Sequence, residues 1–129
     1  MELLENRSVL LAQDLELSGL SLDLSYYRPL LWKKKKPLGE EDKKNWEKAI
    51  GATREEQPKN IFRIALMHSP FYQAEMEALP VDLVLSGHFH GGAIGFPGFA
   101  LMTPQYKFFV KNPRGLRKVG GQWHFTGRG

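Results

Sequence analysis

Three of the four histidines in the chain, His68, His88 and His90, stand where two apolar stretches end. A neutral imidazole offers a nitrogen lone pair that suits zinc, iron, manganese and similar divalent metals. His88 and His90 are separated only by Phe89 and bracketed by Gly87, Gly91 and Gly92. Glycine permits backbone angles that let a tight loop aim neighbouring side chains inward. Taken alone, each signal is weak. A histidine after a strand is more often a cap or a surface residue, and His-x-His recurs on surfaces by chance. Two loops that both carry histidine, one of them lined by glycine, together point to a metal site.

The elements that must position these residues are two buried strands. Ile61 to Met67 is an apolar run interrupted only by Arg63, and Ser69-Pro70 stops it. Val81 to Ser86 is a second such run. Runs of this length and polarity read as strands covered on both faces. Phe71 to Leu79 between them has helical composition and is closed by Pro80. In open α/β sheets ligands bind beyond the carboxyl ends of the strands, so both histidine loops start where a site is expected if the strands are parallel. The connecting helix is short for such a crossover.

Upstream, residues 7–18 predict two short strands around a tight turn at Gln13-Asp14, ending at Gly19. Residues 21–59 differ in character, with Tyr26-Tyr27-Arg28-Pro29, Leu30-Leu31-Trp32 and a run of lysines from Lys33 to Lys36. Within them Glu40 to Ile50 reads as a helix, with Glu40, Glu41 and Asp42 in its first turn and Gly51 just past its end. Trp46, Ala49 and Ile50 give that helix one apolar face. From Gly87 to Pro104 the chain is rich in glycine, phenylalanine and proline. Tyr106 to Val110, Leu116 to Val119 and Gln122 to Thr126 then predict short antiparallel strands, with Gly120-Gly121 as a hairpin turn. The fold class expected is α/β.

Composition sets the outer limits. With 129 residues, 42% hydrophobic and 25% charged, the chain reads as one globular domain. It holds no cysteine, which excludes disulfides and thiolate metal sites. The first twenty residues carry Glu2, Glu5, Arg7, Asp14 and Glu16, which argues against a signal peptide. No apolar run approaches the ~18–20 residues of a membrane span. A net charge of +4 favours polyanionic partners, phosphate-bearing ones among them.

The stretch Leu83-Val84-Leu85-Ser86-Gly87-His88-Phe89-His90-Gly91-Gly92 closely resembles the G-H-x-H-G-G signature of calcineurin-like metallophosphoesterases. Ala65-Leu66-Met67-His68-Ser69-Pro70 resembles the isolated ligand histidine of that family, and the spacing between the two motifs also fits. The later Thr103-Pro104-Gln105-Tyr106-Lys107-Phe108-Phe109, followed by Gly127-Arg128-Gly129, is similar to the tail of a bacterial branch that includes lipid-A-precursor pyrophosphatase-like and YkuE-like proteins. The resemblance is strongest from Ile61 to Gly92 and weak before Gly19. Residues 21–59 resemble an insertion, so residues 1–129 are expected to be part of a metallophosphoesterase domain.

What the resemblance implies is a β-sandwich of mixed sheets flanked by helices, with two divalent metal ions (Mn, Fe or Zn) in the complete protein. His68 and His88 would bind one metal and His90 the other. A bridging hydroxide would attack phosphorus in line, which makes a hydrolase of phosphorylated small molecules or lipids. No nucleic-acid partner is implied. The implied location is cytoplasmic, or at the cytoplasmic side of a membrane through an upstream segment. The chain departs from the family in lacking D-x-H, G-D and G-N-H-[DE] elements, which supply the carboxylate and asparagine ligands and the histidine assigned to leaving-group protonation. Asp14 and Asp23 are the nearest substitutes and sit in unmatched contexts. Ala93 also stands where many relatives carry glutamine. A fragment truncated at both ends is therefore expected, inactive by itself and leaving one apolar sheet face open.

Other residues have plainer readings. His124 alternates with its neighbours and reads as structural or surface. Asp82 reads as a turn or cap acceptor. Arg128 and the lysine run read as solvated. Two further functions stay open: a non-catalytic or regulatory module of the same fold, and a basic adaptor for anionic lipid or nucleic acid using residues 21–59.

Overall fold

The computed structural model describes residues 4–26, 36–50, 60–87, 94–96, 99–102, 108–111 and 114–127. Strands β1 (Arg7–Ala12) and β2 (Leu15–Leu20) form an antiparallel hairpin around Gln13-Asp14. Helix α1 (Glu40–Ala49) precedes β3 (Phe62–Met67). A 3-10 turn, Pro70–Tyr72, and the one-turn helix α2 (Gln73–Met76) lead to β4 (Leu83–Ser86). Then come β5 (Ile94–Phe96), β6 (Phe99–Met102), β7 (Phe108–Lys111), β8 (Gly115–Val119) and β9 (Gln122–Thr126).

The result is α/β, as expected from the sequence. A mixed six-stranded sheet has the order β1-β2-β3-β4-β9-β8, and β5-β6-β7 form a separate antiparallel sheet of three. The four central strands β2, β3, β4 and β9 are mutually parallel. Only the outer strands β1 and β8 run against them. This architecture is compatible with a metallophosphoesterase-type domain.

Several boundaries differ from expectation. The helical stretch from Phe71 contracts to a 3-10 turn and a single α-turn. Val81 and Asp82 precede β4 rather than joining it. The strand expected at Tyr106 to Val110 pairs with β6, not with the hairpin that follows it. The β5–β6 pair falls in the glycine-rich stretch, where no periodic apolar run announces it. The hairpin at Gly120-Gly121 is present, and Gly120 takes φ +59 there, a conformation that only glycine adopts without strain. At Gly19 the chain from Leu4 crosses so close that a Cβ would meet the Leu4 carbonyl oxygen at 1.9 Å.

One face of the six-stranded sheet is buried under α1, the 3-10 turn and α2. Trp46, at 1% exposure, packs there with Ala49, Ile50, Leu20, Tyr72 and Met76 over Ala65, Met67 and Val84. The Trp46 indole donates to the Ser21 carbonyl at 3.3 Å. Tyr26 ties the segment ahead of α1 to the same core. Its hydroxyl donates to Asp42 at 2.5 Å and its ring meets Tyr72 edge-on at 5.6 Å. Lys36, from the end of the lysine run, sits 4.1 Å above the Tyr26 ring and donates to Ser25 Oγ.

The opposite face is apolar and open. In register across it lie Val9, Leu17, Ile64 and Leu83, with Trp123 beside Leu83 and Phe125 beside Leu85. Phe62, Trp123, Phe125 and Leu116 are large and exposed. Apolar area of this extent drives association. The purified chain is therefore expected to self-associate as concentration rises, and Phe62→Lys with Trp123→Lys should shift it toward monomer in size-exclusion chromatography. A sharp, concentration-independent melt of a monomer would contradict that. On the covered face, Trp46→Ala should cost about 3–5 kcal/mol of unfolding free energy in denaturant titration.

Candidate metal centre

The parallel register brings the carboxyl ends of four strands to one edge. Leu20 pairs with Met67, Met67 with Ser86, and Ser86 with Thr126. The next residue along β3 is His68, and along β4 it is Gly87. The Gly87 N–H donates to the His68 carbonyl at 3.2 Å, so the two histidine loops leave the sheet side by side. The Gly127 N–H donates to the Ser86 carbonyl at 2.7 Å, which brings the end of β9 to the same edge.

Local sequence explains how His68 is presented. Ser69 has extended angles, φ −116 and ψ 132, as a residue before proline prefers. Its buried hydroxyl accepts from the Phe71 N–H at 3.4 Å and caps the 3-10 turn. The chain thus turns away under the sheet edge directly after His68, whose side chain faces solvent.

Of the residues singled out by sequence, the structure brings His68 and Gly87 together. His88, His90, Gly91 and Gly92 lie outside the described residues, as do Ala93 and Arg128. Among the described residues no group of three or more histidine, aspartate or glutamate side chains could hold a metal ion. Asp14 is excluded as a ligand partner of His68. Its carbonyl accepts from the Phe62 N–H at 2.8 Å, at the amino end of β3. A strand of this length separates the two positions by roughly 20 Å at ~3.3 Å per residue. Asp82 lies at that same far end, where its Oδ2 accepts from the Arg63 N–H at 2.8 Å, bonding the neighbouring strand rather than a turn or cap of its own. Asp23 follows β2 and accepts from the Ser25 N–H at 2.8 Å.

The sequence reading missed a polar cluster buried beneath the site edge. Gln73, at 3% exposure, donates through Nε2 to Ser86 Oγ at 3.2 Å and Thr126 Oγ1 at 3.4 Å. Its Oε1 accepts from the Arg117 guanidinium. Ser86 and Thr126 lie 3.3 Å apart at their hydroxyls. The available signal was the shared parity of Gln122, His124 and Thr126, three polar residues on one face of β9.

His124 belongs to the same buried layer and is structural, with 0% exposure. Its Nε2 is 3.1 Å from Gln122 Oε1. Because the Gln122 amide already donates to the Met76 and Leu79 carbonyls, Oε1 is the acceptor and the proton sits on His124 Nε2. Burial pushes the imidazole below its ordinary value of 6.5, and Arg117 across the strand pair adds to the effect while Glu77 opposes it.

Comparison with known proteins gives one informative relative. A stretch of 71 residues is 35% identical to an uncharacterized metallophosphoesterase, YkuE, from Bacillus subtilis (strain 168). The match covers 54% of this chain and 24% of the relative, so the chain spans about a quarter of that protein's length. No family profile matches the chain, and no solved structure matches it. Among the described residues no helix is long and apolar enough to cross a membrane.

The His124 environment makes a pH prediction. The unfolded chain binds this proton near 6.5, whereas the folded chain resists it. Stability is then full above the ordinary value and falls as the pH drops below it, until the folded state also protonates. Urea melts between pH 8 and pH 5 should show this fall, and His124→Gln should flatten it.

Proposed function

We propose that this chain is part of a metal-dependent phosphoester hydrolase of the calcineurin-like type, in the branch of YkuE-like proteins. His68, His88 and His90 are its metal ligands, and Gly87, Gly91 and Gly92 shape the loop between strand and ligand. The observation that carries this reading is the bond from the Gly87 N–H to the His68 carbonyl at the carboxyl edge of parallel strands. The likeness to a relative named as a metallophosphoesterase supports it.

The donor set fits a borderline divalent metal, since three imidazoles are acceptable ligands for Mn, Fe or Zn. A metal pair in the complete protein would supply hydroxide at neutral pH and neutralise charge on the phosphoryl oxygens. This chain's own residues supply position. The β3–β4 register fixes where the two histidine loops begin, and Ser69-Pro70 turns the chain so that His68 faces solvent. The basic balance of the chain attracts an anionic substrate, a phosphorylated small molecule or lipid. Residues 1–129 form a partial domain in which 21–59 are an insertion, and the protein works in the cytoplasm or at the cytoplasmic side of a membrane.

One observation favours a second reading, a non-catalytic module of the same fold. The chain contains no Asp-x-His and no Gly-Asp, and Asp14 and Asp82 are at the wrong end of the sheet. Three imidazoles without carboxylates suit one metal better than two.

Isothermal titration with Mn or Zn should therefore show weak binding of a single ion, reversed by EDTA. His68→Ala, His88→Ala and His90→Ala should each weaken it by at least about tenfold. The chain alone should turn over p-nitrophenyl phosphate little or not at all. Robust Mn-dependent turnover abolished by His88→Ala would overturn that expectation, and absence of any metal binding would favour the non-catalytic module.

A further inference from the structure

We propose that Gln73 is a positioning residue of the metal centre, an inference that rests on the assignment of His68, His88 and His90 as ligands. Gln73 is the first residue of α2, five positions after His68 in the same connection. Its side chain leaves that connection and reaches the last residue of β4 and the last residue of β9. Both amide hydrogens are used, toward Ser86 Oγ and Thr126 Oγ1, and its oxygen takes the Arg117 guanidinium from β8. Ser86 directly precedes Gly87-His88, and Thr126 directly precedes Gly127-Arg128. One side chain therefore ties together the segment leaving His68 and the strand ends from which the other candidate site residues follow.

The physical case is that this tie is polar, buried and saturated. Gln73, Ser86 and Thr126 are all buried. Hydrogen bonds in such surroundings hold geometry more strictly than in water, because breaking one leaves a desolvated partner. A leucine would fill the same volume and hold the helix down, so packing alone does not call for glutamine here. What leucine cannot do is fix the lateral positions of the β4 and β9 ends relative to the His68 turn. Metal affinity depends steeply on such placement, since ligands must converge without distortion.

The test uses the chain with cobalt(II) as a spectroscopic probe. Visible absorption reports coordination geometry, and titration reports affinity. Gln73→Leu and Gln73→Glu are compared with the unaltered chain, with His88→Ala as the ligand control. Gln73→Glu keeps the Arg117 contact and lets the Ser86 and Thr126 hydroxyls donate to its carboxylate, so it is the conservative variant that should retain the tie. Thr126→Val and Ser86→Ala remove the acceptors with little change of volume, and they keep the proposal testable if Gln73→Leu does not fold.

The expected result is that Gln73→Leu, Thr126→Val and Ser86→Ala still melt cooperatively while cobalt affinity falls ~10–100-fold with a changed visible band, and that Gln73→Glu stays close to the unaltered chain. Gln73→Leu combined with Ser86→Ala should lose no more than the larger single change, because both cut one network. Gln73→Leu, Thr126→Val and Ser86→Ala chains that melt earlier yet bind cobalt with unaltered affinity and spectrum would overturn the positioning role and leave the metal centre standing. An unaltered chain that binds no cobalt would overturn both.

Discussion

Everything at the site edge depends on the unbroken parallel register of β2, β3, β4 and β9. A parallel ladder spaces its hydrogen bonds evenly and satisfies each backbone group between two neighbours. Moving one strand by a single residue would turn every side chain to the opposite face. The register therefore fixes two things together. It sets which side chains enter the core, and it sets that His68, Gly87 and Gly127 emerge from the sheet at one level. The Gly87 and Gly127 N–H groups extend the ladder by one bond beyond the strands, so the start of each loop inherits the order of the sheet.

The same connectivity explains why one face is covered and the other bare. The chain passes from β2 through α1 to β3, then through α2 to β4, always stepping in one direction across the sheet. Right-handed crossovers stepping one way put both helices on the same side. The helices are also short, and α2 has one turn only. What they bury near β9 is polar: Gln122, His124 and Thr126 point inward and are held by Gln73 and by the Met76 and Leu79 carbonyls. Trp123 and Phe125 point outward. Burying either would contribute roughly 1.5–3 kcal/mol, so a surface with this composition is built as an interior layer.

That inversion marks the limit of what the sequence disclosed. The β1–β2 hairpin, the two apolar strands and α1 were legible, since apolar runs, turn residues and the spacing of Trp46, Ala49 and Ile50 each carry a local signal. β9 was legible as a strand hairpinned to β8, but its parallel neighbour was not. Parallel pairing with β4 is a contact across some forty residues, and no local pattern encodes it. Alternate polar residues on a strand are commonly solvated, whereas on β9 tertiary hydrogen bonds offset the desolvation of those groups. Gln73 was hidden for the same reason, since its three partners lie on three different strands. Of the site, the structure sets Gly87 beside His68 at the sheet edge, and His88 and His90 rest on the motif that contains them.

The sheet also sorts its chemistry by end. At the amino edge, Asp82 holds the Arg63 backbone, and Glu16 Oε1 lies 3.9 Å from Arg63 Nε in the buried layer. At the carboxyl edge stand His68, Gly87 and the hydroxyls of Ser86 and Thr126, with Asp23 three residues past the end of β2 and engaged with the Ser25 N–H. Asp82 anchors the backbone at the amino end, and neither it nor Glu16 can reach His68 from there. A set of imidazole ligands binds a cation without neutralising it, so each added metal meets the undiminished charge of the first. Carboxylate ligands remove that penalty, and they must come from chain that approaches the carboxyl edge. The open apolar face runs up to that edge through Leu66, Leu85 and Phe125, so a layer docked on it would be positioned to deliver them.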